Sequence, residues 1–132
     1  MTSATFGHHL TVDAAACNDR IRDRESIAEF ARALVEAIDM KAYGQPLIEH
    51  FGHDEPKASG YTLVQLIETS HIAAHFCDHS GEAYFDIFSC RDFDQDKALA
   101  VIAAYFAPVS HNVQMTVRQA PRSAQPQAQA AS

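Results

Sequence analysis

The sequence lacks several features that define broad protein classes. It contains no tryptophan and only three cysteines, Cys17, Cys77 and Cys90, which follow no CxxC spacing. An odd number of widely spaced cysteines argues against a disulfide framework and favours free thiols. No apolar run approaches the ~20 residues of a membrane span, and residues 1–6 lack the basic and apolar regions of a secretory signal. We therefore expect a cytoplasmic protein.

The chain also lacks a basic surface pattern. Ten lysines and arginines face 17 acidic residues, which gives a formal net charge of −7, and no Lys/Arg run occurs. Nucleic-acid binding requires clustered cations that neutralise phosphates, so nucleic acid is not an expected partner. An acidic protein suits a cationic small molecule better, although acidic balance mainly serves solubility.

Apolar periodicity predicts strands that alternate with two helices. Leu10 and Val12 alternate with polar residues and indicate a short first strand. Apolar residues then recur at intervals of three and four from Ile27 to Ile38, and Ser26 with Glu29 forms a capping box that would begin this helix. The remaining predicted elements are strands at residues 47–51, 61–67, 72–76, 83–88 and 113–117, and a second helix at residues 98–106 that Pro108 stops.

This order predicts an α+β two-layer sandwich, with a mainly antiparallel sheet and both helices on one face. The other sheet face then needs a cover, which self-association would supply, so we expect a homodimer. Residues 6–118 form the single predicted domain. Residues 1–5 are expected to be flexible, and residues 119–132, rich in Ala, Gln and Ser, to be a disordered tail.

Four polar or reactive residues, Ser70, His71, His75 and Cys90, stand among apolar strands at a specific spacing. This spacing resembles that of the bacterial S-adenosylmethionine decarboxylase proenzymes, which carry Glu-Ser-His-Ile-x-x-His and then Gly-x-Ala-x-x-Asp-x-Phe-Thr-Cys. The corresponding segments here are Thr69-Ser70-His71-Ile72-Ala73-Ala74-His75 and Gly81-Glu82-Ala83-Tyr84-Phe85-Asp86-Ile87-Phe88-Ser89-Cys90. Further pairs that resemble the family are Gly7 with His8-His9-Leu10, His50-Phe51 and Ser59-Gly60.

The resemblance implies a cofactor that the chain makes from itself. Ser70 Oγ would attack the carbonyl of Thr69, and elimination with hydrolysis would leave a pyruvoyl group on a second chain that begins at position 70. Its ketone would form a Schiff base with the substrate amine and draw electrons from the breaking carboxylate bond. Neither a metal nor a free cofactor would be required. The product would be the aminopropyl donor of spermidine synthesis.

The same resemblance assigns roles to individual residues. His75 would take the serine Cα proton during processing, which Ser59 would assist. Cys90 would return a proton to the decarboxylated carbon. Phe51 would stack on the substrate adenine, and the remaining candidates for substrate binding are His79 and Glu68.

Two departures from the family pattern leave alternatives open. Thr69 replaces the family's glutamate, with Glu68 one position earlier. His79 replaces a second glutamate, which binds ribose hydroxyls, and imidazole cannot offer the paired acceptors of a carboxylate. Two alternatives therefore stay open. The protein is a pyruvoyl-dependent decarboxylase of ornithine or arginine, or it is an uncleaved non-catalytic homologue. A metal site formed by His71, His75 and His79 is disfavoured, because the segment predicts strand and turn rather than helix.

Overall fold

A computed structural model describes residues 5–122, and the α+β two-layer sandwich predicted from the sequence is confirmed. Residues 1–4 and 123–132, which include most of the predicted flexible N-terminus and disordered tail, lie outside the described residues. The strands are β1 (Gly7–Ala15), β2 (Ala42–Phe51), β3 (Gly60–Ile67), β4 (Ser70–Phe76), β5 (Ala83–Ser89) and β6 (Ser110–Arg118), and the helices are α1 (Arg24–Ala37) and α2 (Gln95–Phe106). A short 3-10 helix, Asp19–Arg22, precedes α1.

The six strands form one antiparallel sheet in the order β2-β3-β4-β5-β1-β6. Consecutive strands β2 to β5 are neighbours, whereas β1 is inserted between β5 and β6. The register pairs Ser70 with Ile67 across the β3–β4 turn and with Ser89 on β5. One end of the central strands is therefore defined by Ser70 and Ser89.

Helix α1 begins earlier than the sequence predicted, and Ser26 is not its N-cap. Asp23 is the cap, because its carboxylate accepts hydrogen bonds from the Ser26 backbone N–H at 3.1 Å and from the Ser26 hydroxyl at 2.7 Å. Aspartate is a strong capping residue and takes this role three residues before the predicted one. Ser26 and Glu29 therefore lie inside the helix, which starts at Arg24.

The core lies between the helices and one face of the sheet. Phe30 of α1 is fully buried, and its ring lies 5.5 Å from that of Phe85 and 4.9 Å from that of Phe106. Phe76 completes this aromatic cluster, with its ring 5.1 Å from Phe106. These contacts join both helices to β4 and β5.

The opposite sheet face, which we call the open face, is not covered by any described element. Side chains alternate along each strand, so that the buried residues point to the helices and their neighbours point to the open face. This face carries Leu47, Phe51, Leu66 and Tyr84, which are 58%, 48%, 50% and 42% exposed. No helix within residues 5–122 is long and apolar enough to cross a membrane.

Candidate active site

Ser70 occupies a conformation that serine seldom adopts. It is the first residue of β4, half-buried, and its φ of +150° lies in the region that favours glycine. A non-glycine residue is held in such a region only when the surrounding structure enforces it, at a cost of roughly 1–3 kcal/mol. Its Oγ lies 3.3 Å from Nδ1 of His71. The hydroxyl is thus on a strained segment and beside an imidazole nitrogen.

The peptide carbonyl before Ser70 is held by a backbone donor. The carbonyl oxygen of Thr69 accepts a hydrogen bond from the backbone N–H of Cys90 at 3.0 Å. This contact follows from the register, because Cys90 comes directly after Ser89, the partner of Ser70 on β5. An N–H aimed at a carbonyl oxygen stabilises the negative charge that develops when a nucleophile adds to the carbon. The Cys90 thiol is exposed at the same strand end.

The side chain of Thr69 is held by a residue that the sequence did not single out. Ser89, which is fully buried, donates its hydroxyl proton to Thr69 Oγ1 at 2.8 Å. Thr69 Oγ1 in turn donates to the Met40 sulfur at 3.3 Å. The only sequence signal for Ser89 is its position between Phe88 and Cys90, where the resembling family carries threonine.

His75 lies near the other end of β4, on the open face. Its Nδ1 is 2.7 Å from the Thr62 hydroxyl, and its Nε2 is 2.9 Å from the carbonyl oxygen of Ala58. A carbonyl can only accept, so Nε2 carries the proton and Nδ1 accepts from Thr62. The ring of Phe51 stacks on His75 at 6.2 Å between centroids. Phe51 and His75 therefore form a half-exposed aromatic surface.

Ser59 and His79 lie at this same end of the sheet. Ser59 is buried directly before β3, and its carbonyl accepts the Asp78 N–H at 2.9 Å. The glycine of the Ser-Gly pair has a steric cause, because Gly60 has a φ of +152° and a side chain there would overlap with the Phe76 carbonyl oxygen. His79 is exposed in the turn after β4.

The predicted site residues therefore divide into two groups at opposite ends of the sheet. The serine group comprises Glu68, exposed in the β3–β4 turn, with Thr69, Ser70 and Cys90. The histidine group comprises Phe51, Ser59, His75 and His79. His75 is five residue steps along the extended strand from Ser70, a span of ~17 Å at ~3.3 Å per step. One chain does not bring the two groups together.

A shallow cavity of about 330 Å³ on the open face lies beside the histidine group, and His75, Thr62, Tyr84 and Asp86 are among its lining residues. The Tyr84 hydroxyl donates to the Glu82 carboxylate at 2.9 Å, and this hydrogen bond raises the pKa of Tyr84.

Within residues 5–122, no group of three or more His, Cys, Asp or Glu side chains could hold a metal ion.

Two further groups were not predicted from the sequence. His50 Nε2 lies 2.7 Å from the Asp78 carboxylate, which ties β2 to the turn after β4. Burial raises the pKa of the neighbouring Cys77 thiol, with smaller contributions from nearby acidic residues such as Glu82. Cys77 therefore stays a protonated, buried packing residue at neutral pH.

Comparison with known proteins first defines the class of fold. The crystal structure of the adenosylmethionine decarboxylase from Aquifex aeolicus VF5 matches with a TM-score of 0.74, covering 92% of this chain and 97% of that chain at 24% identity. The protein thus has the fold of that enzyme.

Sequence comparison then identifies the family. A family model for S-adenosylmethionine decarboxylase matches residues 8–119. The S-adenosylmethionine decarboxylase proenzyme of Clostridium botulinum strain Langeland is 31% identical over 98 residues, which are 73% of this chain and 79% of the relative. The proenzyme of the same name from Pyrococcus abyssi is 29% identical over 104 residues, covering 77% of this chain and 70% of the relative. The chain belongs to the S-adenosylmethionine decarboxylase family.

The strain at position 70 can be measured in uncut variants. Glycine adopts a positive φ freely, so Ser70→Gly should relieve about 1–3 kcal/mol of strain against an entropy cost of about 0.5–1 kcal/mol. We expect Ser70→Gly to unfold in urea with a free energy about 1 kcal/mol above that of Ser70→Ala.

The matched control is Ala73→Gly in the Ser70→Ala background, since Ala73 lies in the same strand without a positive φ. There glycine should lower the unfolding free energy. A loss from glycine of the same size at both positions would show that the Ser70 backbone is not strained.

Proposed function

We propose that this protein is an S-adenosylmethionine decarboxylase that creates its own pyruvoyl group by self-cleavage between Thr69 and Ser70. The observation that carries the proposal is the arrangement of this one peptide bond, with its carbonyl bound to the Cys90 N–H at 3.0 Å and a strained serine on its other side. The relatives are named S-adenosylmethionine decarboxylase proenzymes, which supports both the choice of substrate and the processing of a precursor. The product would be the aminopropyl donor of spermidine synthesis.

Processing would begin on the Ser70 hydroxyl. Ser70 Oγ adds to the Thr69 carbonyl carbon, His71 Nδ1 accepts the hydroxyl proton, and the Cys90 N–H stabilises the resulting oxyanion. Collapse breaks the carbon–nitrogen bond, and the proton passes to the released amine. An ester then joins the Thr69 acyl group to Ser70 Oγ, and position 70 is freed from its positive φ.

The second stage needs a base at the Ser70 Cα. Removal of this proton expels the Thr69 carboxylate by elimination, and water then replaces the nitrogen at the new chain start with loss of ammonia. His75 is the proposed base, through Nδ1, the ring nitrogen that accepts from Thr62 and carries no proton. The pyruvoyl group, once present at position 70, supplies a ketone that acts as an electron sink for decarboxylation.

The remaining residues would serve the substrate. Position 70 itself would hold the pyruvoyl group, and the exposed Cys90 thiol at the same strand end would donate a proton to the substrate carbon. Phe51, 48% exposed and adjacent to His75, offers an aromatic face for the adenine. Glu68 and His79 remain candidates for polar contacts with the substrate.

A second copy of the chain would supply the histidine group. His75 lies ~17 Å from Ser70 along the same strand, so it does not reach the Ser70 Cα in its own chain. The open face carries exposed apolar side chains, including Leu47, Leu66 and Tyr84, that a second sheet would bury. Two copies could pack with their open faces together, related by a two-fold axis perpendicular to the strands. Each strand end of one copy would then lie over the opposite strand end of the other, so that the serine group of one copy meets the histidine group of its partner.

Cytoplasmic residence is part of the same proposal. All three cysteines are free, which suits a reducing compartment.

Self-cleavage is tested by the mass of the purified chain. We expect two polypeptides, residues 1–69 and 70–132, with the second one blocked at its N-terminus by a carbonyl group that reacts with phenylhydrazine. Ser70→Ala should remain a single species of 14.5 kDa. A wild-type chain that stays intact would remove the basis of the proposed enzyme.

Substrate identity is tested by release of labelled carbon dioxide from carboxyl-labelled compounds. We expect release from S-adenosylmethionine and none above background from ornithine or arginine. Cys90→Ala should cleave normally yet lose at least tenfold in turnover, because loss of a general acid costs roughly 10²–10⁴-fold. Release from ornithine or arginine alone would assign the rival substrate class, and full turnover by Cys90→Ala would remove the thiol from the mechanism.

The two-copy site is tested by co-expression of two defective chains with different tags. His75→Ala alone and Ser70→Ala alone should each remain uncut. In mixed dimers, the Ser70 of one chain meets the His75 of the other, so the His75→Ala chain should now be cleaved. The control is His75→Ala co-expressed with a chain that carries both substitutions, where no cleavage is expected. Cleavage restricted to chains that carry both wild-type residues would locate the site within one chain.

A further inference from the structure

We propose that Ser89 is a positioning residue for self-cleavage, acting through the side chain of Thr69 to hold the scissile carbonyl in place. The inference rests on the proposed function, since it concerns the Thr69–Ser70 bond. It adds a residue that neither touches the reacting atoms nor belongs to the catalytic set assigned above.

The hydrogen bonds around Ser89 have one direction. The Arg91 N–H donates to Ser89 Oγ at 3.0 Å, Ser89 Oγ donates to Thr69 Oγ1 at 2.8 Å, and Thr69 Oγ1 donates to Met40 Sδ at 3.3 Å. Each hydroxyl has one proton, so each accepts from one neighbour and donates to the next. Ser89 also lies 3.7 Å from Met40 Sδ, a longer alternative for the same proton. This chain fixes the rotamer of Thr69.

The side chain and carbonyl of Thr69 are attached to the same Cα. Ser89 holds the side chain, while the neighbouring Cys90 N–H holds the carbonyl oxygen at 3.0 Å. Ser89 is also the backbone partner of Ser70 in the β4–β5 ladder. Ser89 and Cys90 therefore hold the peptide that must be attacked through contacts with the residues on both sides of the bond, Thr69 and Ser70. Attack by Ser70 Oγ depends on this geometry, because a 1 Å misplacement can cost ~10²-fold in rate.

Burial distinguishes Ser89 from an incidental surface contact. Its side chain is fully buried, next to helix-facing residues such as Ile87, where an apolar residue would normally stand. A buried hydroxyl is retained without cost only when its hydrogen bonds are made. Ser89 makes these bonds to the segment that carries the scissile bond rather than to the sheet alone.

The test follows the cleavage rate of the full-length chain during timed cell-free synthesis, on denaturing gels. We expect Ser89→Ala and Thr69→Val to cleave about 10–100-fold more slowly than the wild type. The conservative variants Ser89→Thr and Thr69→Ser keep the hydroxyls and should cleave within about threefold of the wild type. The double variant Ser89→Ala/Thr69→Val should be no slower than the slower single variant, because both remove one interaction.

Rescue by hydroxyl separates positioning from packing. Each substitution is also placed in the uncut Ser70→Ala background, where urea unfolding measures its effect on stability. A variant that is cleaved slowly but is as stable as the variant that keeps the hydroxyl supports a positioning role. Should Ser89→Ala not fold, the Thr69→Val and Thr69→Ser pair carries the same comparison.

The outcomes separate the two proposals. A wild-type chain that is not cleaved contradicts the proposed function itself. A cleaved wild type with wild-type rates in Ser89→Ala and Thr69→Val overturns the role of Ser89 alone. Slow cleavage that Ser89→Thr does not restore, or additive effects in the double variant, also overturns it.

Discussion

The pairing of Ser70 with Ser89 is the constraint on which the rest of the site depends. It places Cys90 directly opposite Thr69, so that a backbone N–H meets the carbonyl oxygen that would become the oxyanion in the proposed cleavage. A shift of one residue in this register would turn every side chain of β4 to the other face of the sheet. Phe76 of β4 and Phe85 of β5, whose ring centroids lie 5.7 Å apart, pack on the helix side of the sheet and so favour the register that pairs Ser70 with Ser89.

Much of the fold was predictable because it depends on periodicity. The apolar alternation in the first and last strands and the apolar stripe from Ile27 to Ile38 were visible in the sequence. The predicted elements match the six strands and two α-helices within residues 5–122, but the 3-10 helix was not predicted. The order of the strands was not visible, because the insertion of β1 between β5 and β6 is a long-range pairing. The start of α1 was misplaced because a serine-based capping box also fits a helix that is already capped by Asp23.

The candidate site was predictable in composition but not in arrangement. Ser70, His75 and Cys90 stand at a spacing that resembles the family pattern, yet spacing does not tell which end of a strand each side chain reaches. The division into two groups appears only when β4 is seen as one extended element. Ser89 was missed because the family pattern carries a threonine at this position without assigning it a role, and only the contacts with Thr69 reveal one.

The order of the strands has a consequence for the chain after the proposed cleavage. The segment before the cut contributes β1, β2 and β3, while the segment after it contributes β4, β5 and β6. Because β1 is hydrogen-bonded on both sides to strands of the other segment, the two polypeptides would be interwoven rather than merely in contact. Breaking one covalent bond in the β3–β4 turn would thus free two chain ends but no piece of the sheet. Separating the pieces would require β1 to lose both of its ladders at once.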